Sequence, residues 1–271
     1  MKELLIPVGS KAALTNAVLN GADAVYLGGK RFGARAYADN FTSEDLKEAV
    51  CFAHLYGVKV YVTVNTEIFE RELASVKEYL HFLASIKVDA VIVSDLGLIS
   101  YLHQYLPSLA IHVSTQAHTF SKEIMQFYKE LGATRVVIDR EMSLKEIKQL
   151  PDLLEIECFI HGALCVCYSG QCLFSYFKDK RSGNRGTWSQ SCRMPYQLYK
   201  EHHPCLTNGS YLLSTKELNT SHRIKELLES NITSFKVEGR MKGPSYVGFI
   251  TRFYRCLLDG KPLDPLEEKK L

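Results

Sequence analysis

The sequence predicts a closed (β/α)8, TIM-like barrel with a long cysteine-containing insertion between its seventh and eighth strands. Three observations carry this expectation. A helical pattern that passes through a small turn into a short β-branched run ending in polar residues occurs four times, at Gly21–Gly28, Val88–Asp95, Gly132–Asp139 and Ile232–Gly239. Four further strand candidates, Leu4–Val8, Lys59–Val64, Ala110–Val113 and Leu154–Ile160, bring the total to eight. At 271 residues and 46% hydrophobic composition, the chain can bury one large core, and barrels of this kind commonly take about 250 residues.

Taken in order, Leu4–Val8 opens the barrel and the Gly21–Gly28 phrase supplies its second strand. Thr42-Ser43-Glu44-Asp45 starts a helix ahead of Leu46, Ala49 and Val50, because a hydroxyl followed by an acid three residues later caps the first free N–H groups. Ser143 with Glu146 repeats the signal before the seventh strand. From 161 to 211, Gly, Ser, Asn, Arg and Cys replace helical periodicity, and an insertion of that length inside a domain is usually functional. Tyr246–Leu258 then reads as an apolar closing helix. Strands alternating with helices imply parallel pairing through right-handed crossovers. A closed barrel fits eight such units better than the alternative, an open doubly wound sheet. One domain is expected over residues 1–260, with a charged tail at 261–271.

The balance of 33 Lys+Arg against 30 Asp+Glu leaves a net charge of only +3, so any nucleic-acid contact must be a local patch. No stretch reaches the roughly 20 apolar residues of a membrane span, and the chain reads as cytoplasmic with no membrane partner. In that compartment eight cysteines would stay reduced, which points to metal or redox chemistry before disulfides. Cys51, Cys158 and Cys256 read as small core residues. Cys165 and Cys172 follow the seventh strand among glycines, and soft thiolates at a barrel rim suit an iron–sulfur cluster or zinc. The spacing is not that of a zinc ribbon.

Reactive groups of a barrel belong at the C-terminal ends of its strands. The candidates there are Asn65, Asp95, Ser114 with Gln116, Asp139 with Arg140 and Glu141, His161, and Glu238 with Arg240 and Lys242. His161 and Glu238 are the catalytic candidates, although a strand-end histidine and an interior Glu238–Arg240 network are equally plain readings. Asn65, Gln116, Arg193, Arg240 and Lys242 are candidates for substrate binding, Arg240 as a bidentate clamp for a carboxylate. A possible RNA footprint interleaves Lys178, Lys180, Arg181, Arg185 and Arg193 with Tyr176, Phe177, Trp188 and Tyr196, extended by Lys30, Arg31 and Arg35. His202-His203 reads as an exposed pair.

The segment from Glu157 through Cys165 and Cys172 to Ser175 resembles the signature of the U32, or collagenase-like, peptidase family. The resemblance continues in Asn184–Tyr196, Phe235–Lys242, Gly21–Gly28 and Ser114-Thr115-Gln116, and so covers nearly the whole chain. It implies oxygen-independent hydroxylation supported by a four-cysteine [4Fe–4S] cluster, acting on a tRNA wobble uridine, a ribosomal RNA cytidine or a quinone precursor. The tRNA branch is the most similar, and it implies prephenate, a dicarboxylate, as co-substrate. Cys165, Cys172 and Cys192 stand where the family has cluster cysteines. The fourth position holds Trp188, which leaves Cys205, or else Cys167, as the substitute ligand. The family also implies a homodimer or a paralogous U32 partner. The rival readings are a U32 hydrolase, for which no Ser/His/Asp order or H-E-x-x-H motif is present, and a non-catalytic partner subunit.

Overall fold

In a parallel strand buried on both faces, alternate residues serve different neighbours. The computed structural model of the chain, which describes residues 2–35 and 38–262, sorts them in this way. Its strands are β1 (Glu3–Pro7), β2 (Ala24–Gly28), β3 (Lys59–Val64), β4 (Ala90–Val93), β5 (Ala110–Val113), β6 (Arg135–Val137), β7 (Glu155–Ala163), β8 (Tyr199–Lys200), β9 (His203–Pro204), β10 (Glu217–Asn219) and β11 (Ser234–Val237). The helices are α1 (Lys11–Leu19), α2 (Ser43–Leu55), α3 (Leu73–Ser85), α4 (Leu96–Tyr105), α5 (Lys122–Glu130), α6 (Leu144–Ile147), α7 (Phe174–Asp179), α8 (Ile224–Leu228) and α9 (Pro244–Leu258). β1 through β7 pair in sequence and all in parallel; β11 then closes the ring between β7 and β1. This is the expected (β/α)8 barrel.

Leu4, Ile6, Val25, Leu27, Val60, Val62, Val91 and Val93 turn outward into the core shared with the helices. Full burial of each such side chain contributes on the order of 1.5–3 kcal/mol. The alternate residues Leu5, Ala24, Tyr26, Tyr61, Ala90 and Ile92 form a smaller cluster inside the barrel. Charge shares that interior. Lys236 Nζ lies 2.6 Å from Glu157 Oε1, and Arg135 Nη1 lies 2.6 Å from Glu3 Oε1 and 3.3 Å from Glu157 Oε2. Tyr61 donates its hydroxyl to Glu3 Oε2 at 2.6 Å. Burial holds the Lys236 ammonium below its ordinary pKa. Removing one member of such a set strands the others, at a cost of about 3–5 kcal/mol.

Both helix-start signals form capping boxes. Thr42 Oγ1 accepts from the Asp45 N–H at 3.1 Å while Asp45 Oδ2 accepts from the Thr42 N–H at 3.1 Å, and Ser143 and Glu146 do the same at α6. The Tyr246–Leu258 helix is present as α9, begun by Pro244 at its first position, where the missing N–H costs nothing. The seventh strand runs further than the sequence suggests, to Ala163. The reason is that β10 pairs antiparallel with its far end, Glu217 opposite Ala163 and Asn219 opposite His161. His161 is therefore a strand residue, and the insertion that follows carries α7 and the β8–β9 hairpin. The tail expected at 261–271 lies outside the described residues from 263 onward. No helix among the described residues is long and apolar enough to cross a membrane.

Candidate functional site

Beyond β7 the chain crosses the C-terminal ends of its neighbours, and specific contacts fix the crossing. Ser169 donates to Glu141 Oε2 at 3.0 Å and accepts from the Arg140 N–H at 3.4 Å, both just past β6. Gly170 sits at φ +73° with its α-carbon facing the Gln116 carbonyl past β5, where a Cβ would come within 2.1 Å of the oxygen. Only glycine meets both conditions. A second segment is drawn to the same place by Arg193, which donates to the carbonyls of Leu164 at 2.6 Å and Thr215 at 2.7 Å and to Ser214 Oγ at 2.7 Å.

Between these segments opens a pocket of 360 Å³ lined by Cys165, Cys172, Cys192 and Trp188. The Cys167 thiol lies beside that of Cys172, and the Cys167 N–H donates to Cys165 Sγ at 3.4 Å. Burial, and then the neighbouring cysteines, raise the pKa of Cys167 and of Cys192. Three soft thiols lining one pocket, with Cys167 beside two of them, are the donor chemistry of an iron–sulfur group. As they stand, no three His, Cys, Asp or Glu side chains among the described residues are grouped closely enough to hold a single metal ion. Trp188 lines the same pocket, and its indole N–H donates to the Ala34 carbonyl at 3.2 Å.

The polar wall of the pocket is built on Glu238, which follows β11. Arg35 Nη2 lies 3.2 Å from one carboxylate oxygen and Arg140 Nη2 lies 3.0 Å from the other. Burial alone would raise the Glu238 pKa, but Arg35, Arg140 and Arg240 together pull it down to about 2. Two guanidiniums pair with one carboxylate, with a third nearby, so the wall carries excess positive charge. Arg35 and Arg140 line the pocket, whereas Arg240 does not. The Arg240 side chain is buried and donates to Thr63 Oγ1 at 3.0 Å, and burial, then Arg35, lower its pKa to about 10.

A model of peptidase family U32 matches residues 9–267. The chain belongs to that family. This U32 chain is 42% identical over 259 residues to the 23S rRNA 5-hydroxycytidine C2501 synthase of Escherichia coli, covering 95% of the chain and 39% of the relative. It is 39% identical over 277 residues to tRNA hydroxylation protein P1 of Bacillus subtilis, covering 97% and 64%. A collagenase of Porphyromonas gingivalis is 33% identical over 93% of the chain and 64% of the relative. The U32 chain thus spans less than two thirds of the length of each of these relatives. The solved U32 peptidase Mk0906 superposes with a TM-score of 0.53 at 19% identity, covering 60% of this chain and 70% of that one, a likeness of fold.

Within the U32 barrel the remaining candidates separate by what they touch. Lys242 lines the pocket and reaches Glu217 at 3.2 Å. Asn65 accepts from the Ala34 N–H at 3.0 Å and donates to Ser114 Oγ at 3.2 Å, tying the ends of β3 and β5 to the loop after β2. Gln116 stands in a short helical turn after β5, with its buried Oε1 unpartnered. His161 is buried away from the pocket, its Nδ1 3.1 Å from Tyr254 OH. Cys205 lies beside the β8–β9 hairpin, donating its N–H to the Leu198 carbonyl at 2.8 Å, and does not line the pocket. His202 and His203 are exposed there.

Of the footprint arginines, Arg181 donates to the Thr187 and Trp188 carbonyls at 3.1 Å, and Arg185 pairs with Glu72 at 2.6 Å. Both hold loops together. Lys178 and Lys180 remain exposed, their ammoniums over the rings of Tyr196 and Tyr176 at 5.3 and 5.1 Å. The joint role of Arg35 and Arg140 on Glu238 was not visible in the sequence, because their proximity depends on barrel closure; only the polar strand end at 139–141 hinted at it.

Proposed function

We propose that this U32 barrel carries out RNA hydroxylation, with an iron–sulfur cluster held by Cys165, Cys172, Cys192 and Cys167, and with prephenate as supporting co-substrate. The observation that supports this most is one pocket at the barrel's C-terminal rim that combines clustered thiols with an arginine-rich wall. Cys167 replaces Cys205 as the fourth thiol because it contacts Cys172 and Cys165, whereas Cys205 stands at the hairpin. Relatives named for tRNA hydroxylation and for 5-hydroxycytidine synthesis on ribosomal RNA support RNA as the substrate class. A tRNA wobble uridine is the first substrate to test.

The thiolates would bind the cluster, whose chemistry is one-electron transfer at the pocket wall. Arg35 and Arg140 face the pocket with more positive charge than Glu238 neutralises, which suits the two carboxylates of prephenate. Glu238, with a pKa near 2, is too weak a base to take a proton near neutrality. Its part is to hold both guanidiniums in register. His161, buried against Tyr254, supports the strand and not the chemistry. Peptide hydrolysis, the activity in the family's description, finds less support, since no histidine lines the pocket among the described residues.

The test is nucleoside mass spectrometry of tRNA and ribosomal RNA from a host lacking its own hydroxylases, complemented with this chain or with Cys172→Ser. Hydroxylated pyrimidine should appear with the natural chain and disappear in the variant. Equal hydroxylation in both, or none in either together with iron-free anaerobically purified protein, would sink the proposal.

A further inference from the structure

A second and larger pocket, 780 Å³, opens on the other side of the cysteine loop. The two pockets share walls at two places. Asp139 and Glu141 line the second pocket while Arg140 between them lines the first, and Tyr168 and Gln171 line the second while Cys165 and Cys172 on either side line the first. A ligand seated at the thiols therefore has the second pocket as its nearest neighbour across one thin loop.

The second pocket offers faces and edges. Its faces are aromatic: His118 lies 4.6 Å from Phe120 and 6.4 Å from Tyr168 between ring centroids, and Phe120 and Tyr168 are exposed. His118 is fixed in a left-handed backbone conformation, φ +57°, with its Nδ1 in an ion pair with the buried Asp139 Oδ2. The edges are hydrogen-bonding groups, the carboxylates of Glu141 and Glu146 and the side-chain amides of Gln149 and Gln171. A planar ligand that stacks and presents N–H donors meets both. Asp139 is paired with His118, and against the carboxylates of Glu141 and Glu146 stands one lysine, Lys122, so a phosphate is disfavoured and a strand would enter base first.

We infer that this pocket is a subsite for a nucleobase bearing an exocyclic amino group, belonging to the nucleotide next to the one held at the thiols. The inference rests on the RNA reading above. Ionised carboxylates only accept hydrogen bonds, so adenine or cytosine, whose amino groups donate, is favoured over uracil at that position. The cysteine pocket would hold the reacting base, and the second pocket would set sequence context.

The experiment compares two fluorescein-labelled nonaribonucleotides, all uridine or with adenosine on both sides of the central uridine, by fluorescence anisotropy with the anaerobically purified chain. Adenosine flanks should tighten binding roughly five-fold or more, the scale of one stacked and hydrogen-bonded base. Glu141→Gln, which keeps an acceptor for the Ser169 hydroxyl, and Tyr168→Ala, both at exposed positions, should each reduce that preference to near unity while leaving the all-uridine affinity within about two-fold. Equal affinity for the two oligomers, or a preference that survives both substitutions, overturns the subsite and leaves the RNA reading intact. No binding of either oligomer, with spermidine binding that Glu141→Gln abolishes, overturns both and makes the pocket an organic-cation site.

Discussion

Arg140 Nη2 lies 3.0 Å from Glu238 Oε2, so residues 98 positions apart in sequence meet at the barrel rim and lock the carboxylate at the end of the last barrel strand. The guanidinium of Arg140 also lies over the Phe159 ring, 4.0 Å from its centroid, which leaves it little freedom to release the pair. The consequences are measurable.

Glu238→Gln should destabilise the protein at neutral pH. With its pKa depressed from the usual 4.5 to about 2, the carboxylate contributes about 3 kcal/mol, an order-of-magnitude figure, that is fully present above pH 4.5 and lost as pH falls toward 2. The stability gap between natural chain and variant, from urea unfolding, should therefore narrow steadily below pH 4.5. A gap independent of pH would mean that the arginines do not hold the charge.

The thiol assignments separate by iron and sulfide content after anaerobic reconstitution. Cys165→Ser, Cys172→Ser, Cys192→Ser and Cys167→Ser should each lower both, because the first three remove soft donors that line the pocket and the last removes one beside Cys165 and Cys172. Cys205→Ser should leave them unchanged. Loss of iron in Cys205→Ser alone would reinstate the hairpin cysteine as the fourth ligand.

Arg35→Ala and Arg240→Ala should fail in different ways. The first removes a guanidinium that lines the pocket and holds Glu238, and should weaken prephenate binding roughly ten-fold or more, with a loss of stability that fades as Glu238 protonates below pH 4.5. The second empties a buried site and should cost about 2 kcal/mol or more in stability, with prephenate affinity nearly preserved. Calorimetric titration and thermal unfolding of both variants decide the matter.

Gly170→Ala should displace the cysteine loop, since the new Cβ would meet the Gln116 carbonyl and the backbone would be held at φ +73°. The expected outcome is reduced iron incorporation with the barrel's far-ultraviolet circular dichroism unchanged. Full incorporation would show that the loop closes without the Gln116 contact.

His161 should mark a pH step in stability. Burial lowers its pKa from 6.5, so protonation favours the unfolded chain, and its contribution is complete above pH 6.5 and lost as pH falls below it. The melting temperature should drop less between pH 7.5 and 5.5 in His161→Gln than in the natural chain.

The sequence by itself determined the barrel. Its β-branched run at Ala90–Val93 and the shorter strand at Ser234–Val237 are buried throughout, and strands of that kind at barrel spacing leave parallel closure as the economical packing. It also placed the capping boxes at Thr42 and Ser143, since capping depends on residues three apart. The family and the three cysteines that line one pocket were equally legible, because both rest on short motifs. What only the tertiary structure decided is which distant side chains meet. Ring closure brings Arg35 and Arg140 to Glu238, buries Arg240 against Thr63, sends His161 to Tyr254 and leaves Cys205 at the hairpin. The antiparallel pairing of β10 with β7 carried His161 into the strand in the same way. These outcomes depend on register and on long-range packing, which local pattern does not encode, so residue types announced a rim of polar groups while the closed barrel alone set their partners.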